Sequence, residues 1–173
     1  GTGAGFPGLV LKIVNPQISL TLLASLNKRL TVLKDITSKI DINDIEFVHA
    51  RAEDGGQNAM YREKFDTVVS RAVANMTRLC EWCLPFVKVG GYFLALKGPA
   101  AYEELEEAKR MISMLGGEVE CVSEIQIPFS ELKHCIIIVK KVRHTPMGYP
   151  RKAGIPSKTP IDTCYNLKKT AKA

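Results

Sequence analysis

Gly1-Thr2-Gly3-Ala4-Gly5-Phe6-Pro7-Gly8 opens the chain, with four glycines in eight residues. Glycines let a backbone turn sharply and approach a ligand closely, and a helix that starts just after them presents free N–H groups. Pro7 suits a first helical turn, where its missing N–H costs nothing. In nucleotide-binding α/β domains such a loop follows the first, central strand. No strand precedes it here, so the segment announces a cofactor site on a domain expected to lack its first strand.

Downstream of the loop, short apolar runs alternate with amphipathic stretches, which indicates an α/β domain with a mainly parallel sheet. The pattern predicts a short helix over 7–14, a strand over 18–23 and a helix over 25–40. Leu26, Leu30, Leu33 and Ile36 form the apolar face of that helix, and Ser25 is its expected cap. A strand follows over 45–49, then a polar loop with a helical turn over 51–64 and a strand over 65–70. A helix over 74–88, interrupted near Pro85, leads through Gly90-Gly91 into a strand over 92–97. The last helix, 100–115, carries Glu103, Glu104, Glu106 and Glu107 near its start, where acids complement the helix dipole. Two strands over 118–127 and 134–142 lie close enough in sequence to form an antiparallel hairpin. The segment from 144 onward has four prolines and no apolar periodicity. It reads as a separate basic tail, docked or partly disordered, after a domain over 1–143.

Composition narrows the class. The chain has 173 residues, 46% hydrophobic and 24% charged, enough for one domain with a real core. No apolar run approaches the ~20 residues that span a bilayer, and the apolar stretch 6–14 lacks a basic leader. Five scattered cysteines fit a reducing, cytoplasmic setting better than a disulfide framework. The net charge is +6, but residues 140–173 hold nine of the 24 Lys and Arg with only Asp162 opposing them. Such an arm either aids solubility or contacts phosphates.

Several side chains are placed to do chemistry. Gly3-x-Gly5-x-x-Gly8 and Gly1-x-Gly3-x-Gly5 satisfy two different cofactor fingerprints, each weak alone. Both folds usually end the next strand with an acid for the ribose hydroxyls, yet this chain has Ala24 there. Arg51-Ala52-Glu53-Asp54 follows the 45–49 strand and lies beside the glycine loop. There, an acid can accept from an adenine amino group. Arg71 and Lys97 end two further strands, at the rim where an acceptor would lie, and suit a phosphate or a base carbonyl. Cys80-Glu81-Trp82-Cys83 falls inside a helix and has no second cysteine pair, so it reads as core rather than as a zinc or redox site. The isolated histidines define no hydrolase, and no metal site is expected.

GTGAGFPG at 1–8, SLNKR at 25–29, RAED at 51–54, SRAVA at 70–74, ALKGP at 95–99 and TPMGYPRKAGIPSKTP at 145–160 together resemble the ribosomal RNA small-subunit methyltransferase G family. The resemblance covers about residues 1–161. It implies a class I S-adenosylmethionine-dependent methyltransferase sheet with an antiparallel C-terminal hairpin. It also implies methyl transfer to N7 of a guanine in bacterial small-subunit (16S) ribosomal RNA, with no metal, no membrane and a monomeric enzyme. By the same resemblance Gly1, Gly3 and Phe6 line the cofactor loop, Ala52 and Glu53 meet the adenine, and Arg71 sits near the methionine end and the acceptor guanine. Arg71 and Lys97 are the acceptor-side candidates. Arg143, Arg151, Lys152 and Lys158 are the RNA-binding candidates. Two other readings stand beside it: a catalytically impaired RNA-binding fragment of such an enzyme, and an NADP-dependent oxidoreductase suggested by the glycine loop alone. The absent first strand would leave two apolar sheet edges open, so the chain by itself is expected to fold poorly.

Overall fold

The computed structural model describes residues 2–129 and 133–161. Its elements run in chain order as α1 (Gly8–Val14), β1 (Leu20–Ala24), α2 (Asn27–Lys39), β2 (Ile45–His49), α3 (Ala52–Gln57) and β3 (Phe65–Arg71). They continue with α4 (Met76–Cys83), a 3₁₀ turn (Leu84–Phe86), β4 (Val87–Lys97), α5 (Ala101–Met114), β5 (Gly117–Gln126), β6 (Lys133–Lys141) and α6 (Ile155–Lys158). The expected α/β alternation is present. Three local readings need correction. Leu26, not Ser25, occupies the N-cap of α2, and no side chain caps that helix. The helix expected over 74–88 stops at Cys83, because Pro85 sits in a 3₁₀ turn that passes directly into β4. β4 therefore begins at Val87, and Gly90-Gly91 lies inside it, beside a register shift against β3.

The strands form two separate sheets. β1 pairs parallel with β2, and the other four lie in the order β3-β4-β6-β5. β3 and β4 are parallel, whereas β6 runs antiparallel to both β4 and β5. The last strand thus inserts between its predecessors, as the hairpin reading requires. Alternation in β6 explains its position: Cys135, Ile137, Val139 and Lys141 are all buried on one face. That face meets Leu105, Ala108, Met111 and Ile112, which share one side of α5. α4 adds Met76, Leu79, Cys80 and Cys83 to the same core. The small sheet has a far lesser core, built on Leu9, Leu22 and Leu33.

Among the described residues no strand joins β1 to β3. The space between their facing edges is a cleft of about 190 Å³ lined by Leu20, Leu22, Thr67 and Val69, among others. Ser70 Oγ and Trp82 Nε1 are buried beside it without hydrogen-bond partners among the described residues.

The basic segment after β6 is docked as far as Ile161, with the remainder of the tail, residues 162–173, outside the described residues. Its anchor is Lys141, fully buried, whose ammonium donates to Leu84 O (2.7 Å) and Thr145 Oγ1 (2.6 Å) and pairs with Glu63 (3.1 Å). Glu63 also receives the Thr145 N–H (2.7 Å) and lies 2.6 Å from His144 Nδ1. Burial pushes the Glu63 carboxyl up, but hydrogen bonds from His144, Thr145 and Lys141 outweigh it and hold the group below its usual range. Burial likewise lowers Lys141, with Glu63 opposing the shift.

Two measurements check this picture. The backbone amides of β1 and β2 should exchange with solvent faster than those of β4 and β6, because the small sheet buries so little apolar surface. The reverse order would show that the two sheets share one cooperative core. Glu63→Gln should cost on the order of 2 kcal/mol near pH 7, since it removes hydrogen bonds to a charged group. A lowered folded pKa gives stability that is present above the unfolded value and is lost as pH falls through the folded one. The gap between wild type and variant should therefore close progressively below about pH 4.5. A gap independent of pH would remove the charge from the explanation.

Candidate functional site

The glycine loop, the end of β1, the start of α3 and the end of β3 converge at the carboxyl rim of the parallel strands. This is the position at which open α/β sheets bind ligands. The loop is tied to the sheet by the Thr2 N–H, which donates to Leu23 O at 3.1 Å. Gly3 adopts φ +56, and a Cβ built on it would meet nothing within 4 Å. The backbone there is both left-handed and open on its outer side, as a loop that cradles a ligand requires. Gly8 does a different job. Its missing side chain lets α1 press on β1, where a Cβ would come within 3.0 Å of Leu22. Gly1 lies outside the described residues.

Phe6 and Arg71, 65 positions apart in the sequence, meet across the mouth of the cleft. The guanidinium carbon of Arg71 stands 5.2 Å from the centre of the Phe6 ring, in cation–π contact. Both side chains are exposed. The next residue, Ala72, has φ +53, an unusual conformation for a residue with a Cβ. Ala52 lines the same cleft. The structure thus brings Phe6, Ala52 and Arg71 to one cleft, which the loop carrying Gly3 enters through Thr2.

Other candidates are engaged elsewhere. Glu53 is 4% exposed, and its Oε1 accepts the Gly154 N–H at 3.0 Å. Lys97 does not project into solvent. Its ammonium donates to Ala74 O (2.7 Å) and Glu104 Oε2 (2.6 Å), and the same Glu104 oxygen accepts the Met76 N–H (2.7 Å). Lys97 and Glu104 therefore fasten the far end of the turn that follows Arg71, at Ala74 and Met76. Arg151 is turned inward onto Glu81, which is 1% exposed. Its main-chain N–H, Nε and Nη2 all reach that carboxylate, at 2.7–2.9 Å. Arg143 donates to Ser113 O, whereas Lys152 and Lys158 are exposed.

Ala24, where an acid was expected, is 2% exposed, and its carbonyl accepts the Ala50 N–H. The four free cysteines among the described residues form no centre. Cys80 and Cys83 are buried, and burial pushes the Cys83 thiol up to about 12, so neither is poised as a thiolate. No group of side chains among the described residues fits a metal ion, and no helix among them is long and apolar enough to cross a membrane. Sequence reasoning missed Arg62 and Glu63, whose polar neighbourhood reads as a surface loop. A hint was available in the adjacency of an arginine and an acid before a strand, but nothing local says that their partners lie about 80 residues on.

Comparison with known proteins matches this geometry. Residues 1–133 fit the family model described as rRNA small subunit methyltransferase G. The chain is 56% identical over 161 residues to ribosomal RNA small subunit methyltransferase G of Clostridium novyi, covering 93% of this chain and 66% of that protein. The corresponding protein of Lactobacillus acidophilus is 52% identical, with 93% and 67% covered. The chain thus spans about two thirds of the length of these relatives. Among solved structures, a 16S rRNA (adenine(1408)-N(1))-methyltransferase from Catenulisporales acidiphilia superposes with a TM-score of 0.66 at 14% identity, covering 84% of each chain. An rRNA methylase from Streptococcus thermophilus gives 0.54 at 13% identity, covering 83% of this chain and 84% of that one. At such identities the likeness concerns the fold, which is that of the class I S-adenosylmethionine-dependent methyltransferases. Over most of its length, and in the loop that shapes its cleft, the chain belongs to the rRNA small subunit methyltransferase G family.

Proposed function

We propose that this chain carries the cofactor and acceptor cleft of an enzyme that methylates N7 of a guanine in bacterial 16S ribosomal RNA. The observation that supports this most is the meeting of Phe6, Ala52 and Arg71 at one cleft, beside the open turn at Gly3, in a chain of this family. The residues present fit S-adenosylmethionine: an open glycine turn, an aromatic ring and an alanine at the head of α3. When bound, the cofactor supplies a methyl group on a positively charged sulfur. Loop 2–6 would hold it against the end of β1, and Ala52 would border its adenine side, whereas Glu53 is turned away onto the Gly154 N–H.

Guanine N7 carries an in-plane lone pair and no proton, so no general base is needed. The chain's task is alignment and approach, which supply a large share of rate in such reactions. Arg71 suits a phosphate or the O6 edge of the guanine, because a cation over the ring would oppose the charge that develops there. Its guanidinium lies over the Phe6 ring, a cation–π contact that favours this direction. Lys97 acts at one remove: with Glu104 it sets the turn that presents Arg71. Lys152, Lys158 and Arg143 are the candidates for reaching RNA phosphates, and Arg151 serves the fold instead. A monomer in the cytosol acting on RNA or an assembled subunit completes this reading. A catalytically impaired RNA-binding form has one observation in its favour, the absence of the ribose-binding acid at Ala24.

Two experiments follow. With tritiated S-adenosylmethionine and 16S RNA, label should enter guanine N7 and make the RNA cleavable there by borohydride and aniline. Arg71→Lys should lower transfer by about tenfold, ~1.4 kcal/mol, because a point charge cannot stack as the guanidinium does. Transfer undiminished in Arg71→Lys would remove Arg71 from the acceptor site. Ala24→Asp tests the ribose contact. Without ligand the variant should melt lower, since it buries an unpaired carboxylate. With S-adenosylhomocysteine the rise in Tm should be larger than in wild type, as the ribose hydroxyls supply partners worth ~1.5–3 kcal/mol. An equal rise would mean that ribose is held elsewhere.

A further inference from the structure

We propose that residues 145–154 act as a positioning strap for α3, and through α3 for the adenine side of the cleft; the second clause rests on the function proposed above. α3 reads Ala-Glu-Asp-Gly-Gly-Gln. Six residues with two adjacent glycines are too few and too poor in helix propensity to hold a helix unaided. The helix is nonetheless formed: Gly55 packs on Leu23 and Phe86, and the strap adds support at both its ends. At its start, Glu53 accepts the Gly154 N–H. Toward its end, the Pro150 ring packs so closely on Gly56 that a Cβ there would stand 2.9 Å from it. Gln57 Nε2 donates to Pro150 O at 2.8 Å and to Met147 O at 3.3 Å.

Arg62 closes the arrangement. Its Nη1 donates to Gly56 O (2.9 Å) and Tyr149 O (2.7 Å), and its Nη2 to Thr145 O (2.7 Å) and Pro146 O (3.2 Å). One guanidinium thus collects four main-chain carbonyls, one from α3 and three from the strap. The strap is itself fixed at both ends, by Lys141 and Glu63 at Thr145 and by Glu81 at Arg151. The basic segment that reads in sequence as a solvent arm is, over this stretch, an internal brace. Ala52, the first residue of α3, lines the cleft, so loosening the brace moves a wall of the site.

Hydrogen exchange on the full chain, read by mass spectrometry with and without S-adenosylhomocysteine, tests this. Arg62 and Gln57 do not line the cleft. In Arg62→Met, amides of residues 52–57 should exchange at least tenfold faster while those of β4 and β6 stay unchanged, and the affinity for S-adenosylhomocysteine should fall several-fold. Gln57→Ala should do the same to a smaller degree. Faster exchange in 145–154 with α3 unchanged would overturn the proposal, because the strap would then release without α3 responding. If Arg62→Met loses protection everywhere, Gln57→Ala decides: selective opening of α3 upholds the coupling, and no opening refutes it. If the wild type shows no ligand-dependent protection, the cofactor reading fails, while the exchange of α3 still decides whether the strap supports it.

Discussion

Buried charge must be answered by other charge or by hydrogen bonds, because an unpaired ion in the interior costs several kcal/mol. Glu53, Glu81 and Lys141 are all buried, and Glu63 pairs with Lys141. The partners of the three acids come almost entirely from residues 141–154: the Gly154 N–H, the Arg151 side chain and N–H, the Thr145 N–H, and Lys141 itself. This need for partners selects one path for the chain after β6. It turns a basic, proline-rich segment inward, although its composition alone suits water. α3, the 3₁₀ turn at Leu84 and the last strand are joined by the same set of contacts.

The second constraint is geometric. Parallel strands bring their carboxyl ends to one rim, and a ligand there is reached by loops from different parts of the sequence. Gly3 and Phe6 arrive from the first loop, Ala52 from the second and Arg71 from the third. The reaction proposed asks for little else, since a nucleophile that carries no proton requires no acid–base pair. The absence of a catalytic dyad in the sequence is therefore consistent with the chemistry.

Much of this was legible in the sequence, and the limits have physical causes. Strand and helix periodicities placed nearly every element, because alternation in β6 and the 3.6-residue spacing in α5 are strong local signals. The density of glycine in residues 1–8 marks a sharp, open turn, and the structure places Thr2 and Phe6 of that loop in the cleft with Ala52 and Arg71. The extent of α4 was misread, since Pro85 is tolerated in a 3₁₀ turn and the apolar run continues through the element boundary. Lys97, Glu53 and Arg151 were placed at the right elements, but the sequence did not show which way their side chains are engaged. An exposed lysine and one clamped by a glutamate seven residues on look alike in one dimension. Arg62 and Glu63 escaped notice for the same reason: their partners lie about 80 residues away, and long-range pairing leaves no local trace.

The most direct test of the account is calorimetric titration of the chain with S-adenosylhomocysteine, with NADP as the control. The account predicts saturable binding of S-adenosylhomocysteine alone, abolished or sharply weakened when Gly3 is replaced by a β-branched residue that cannot adopt its backbone conformation. Binding of NADP, or no binding of S-adenosylhomocysteine, would contradict the claim that the rim formed by Gly3, Phe6, Ala52 and Arg71 is a methyltransferase cofactor site.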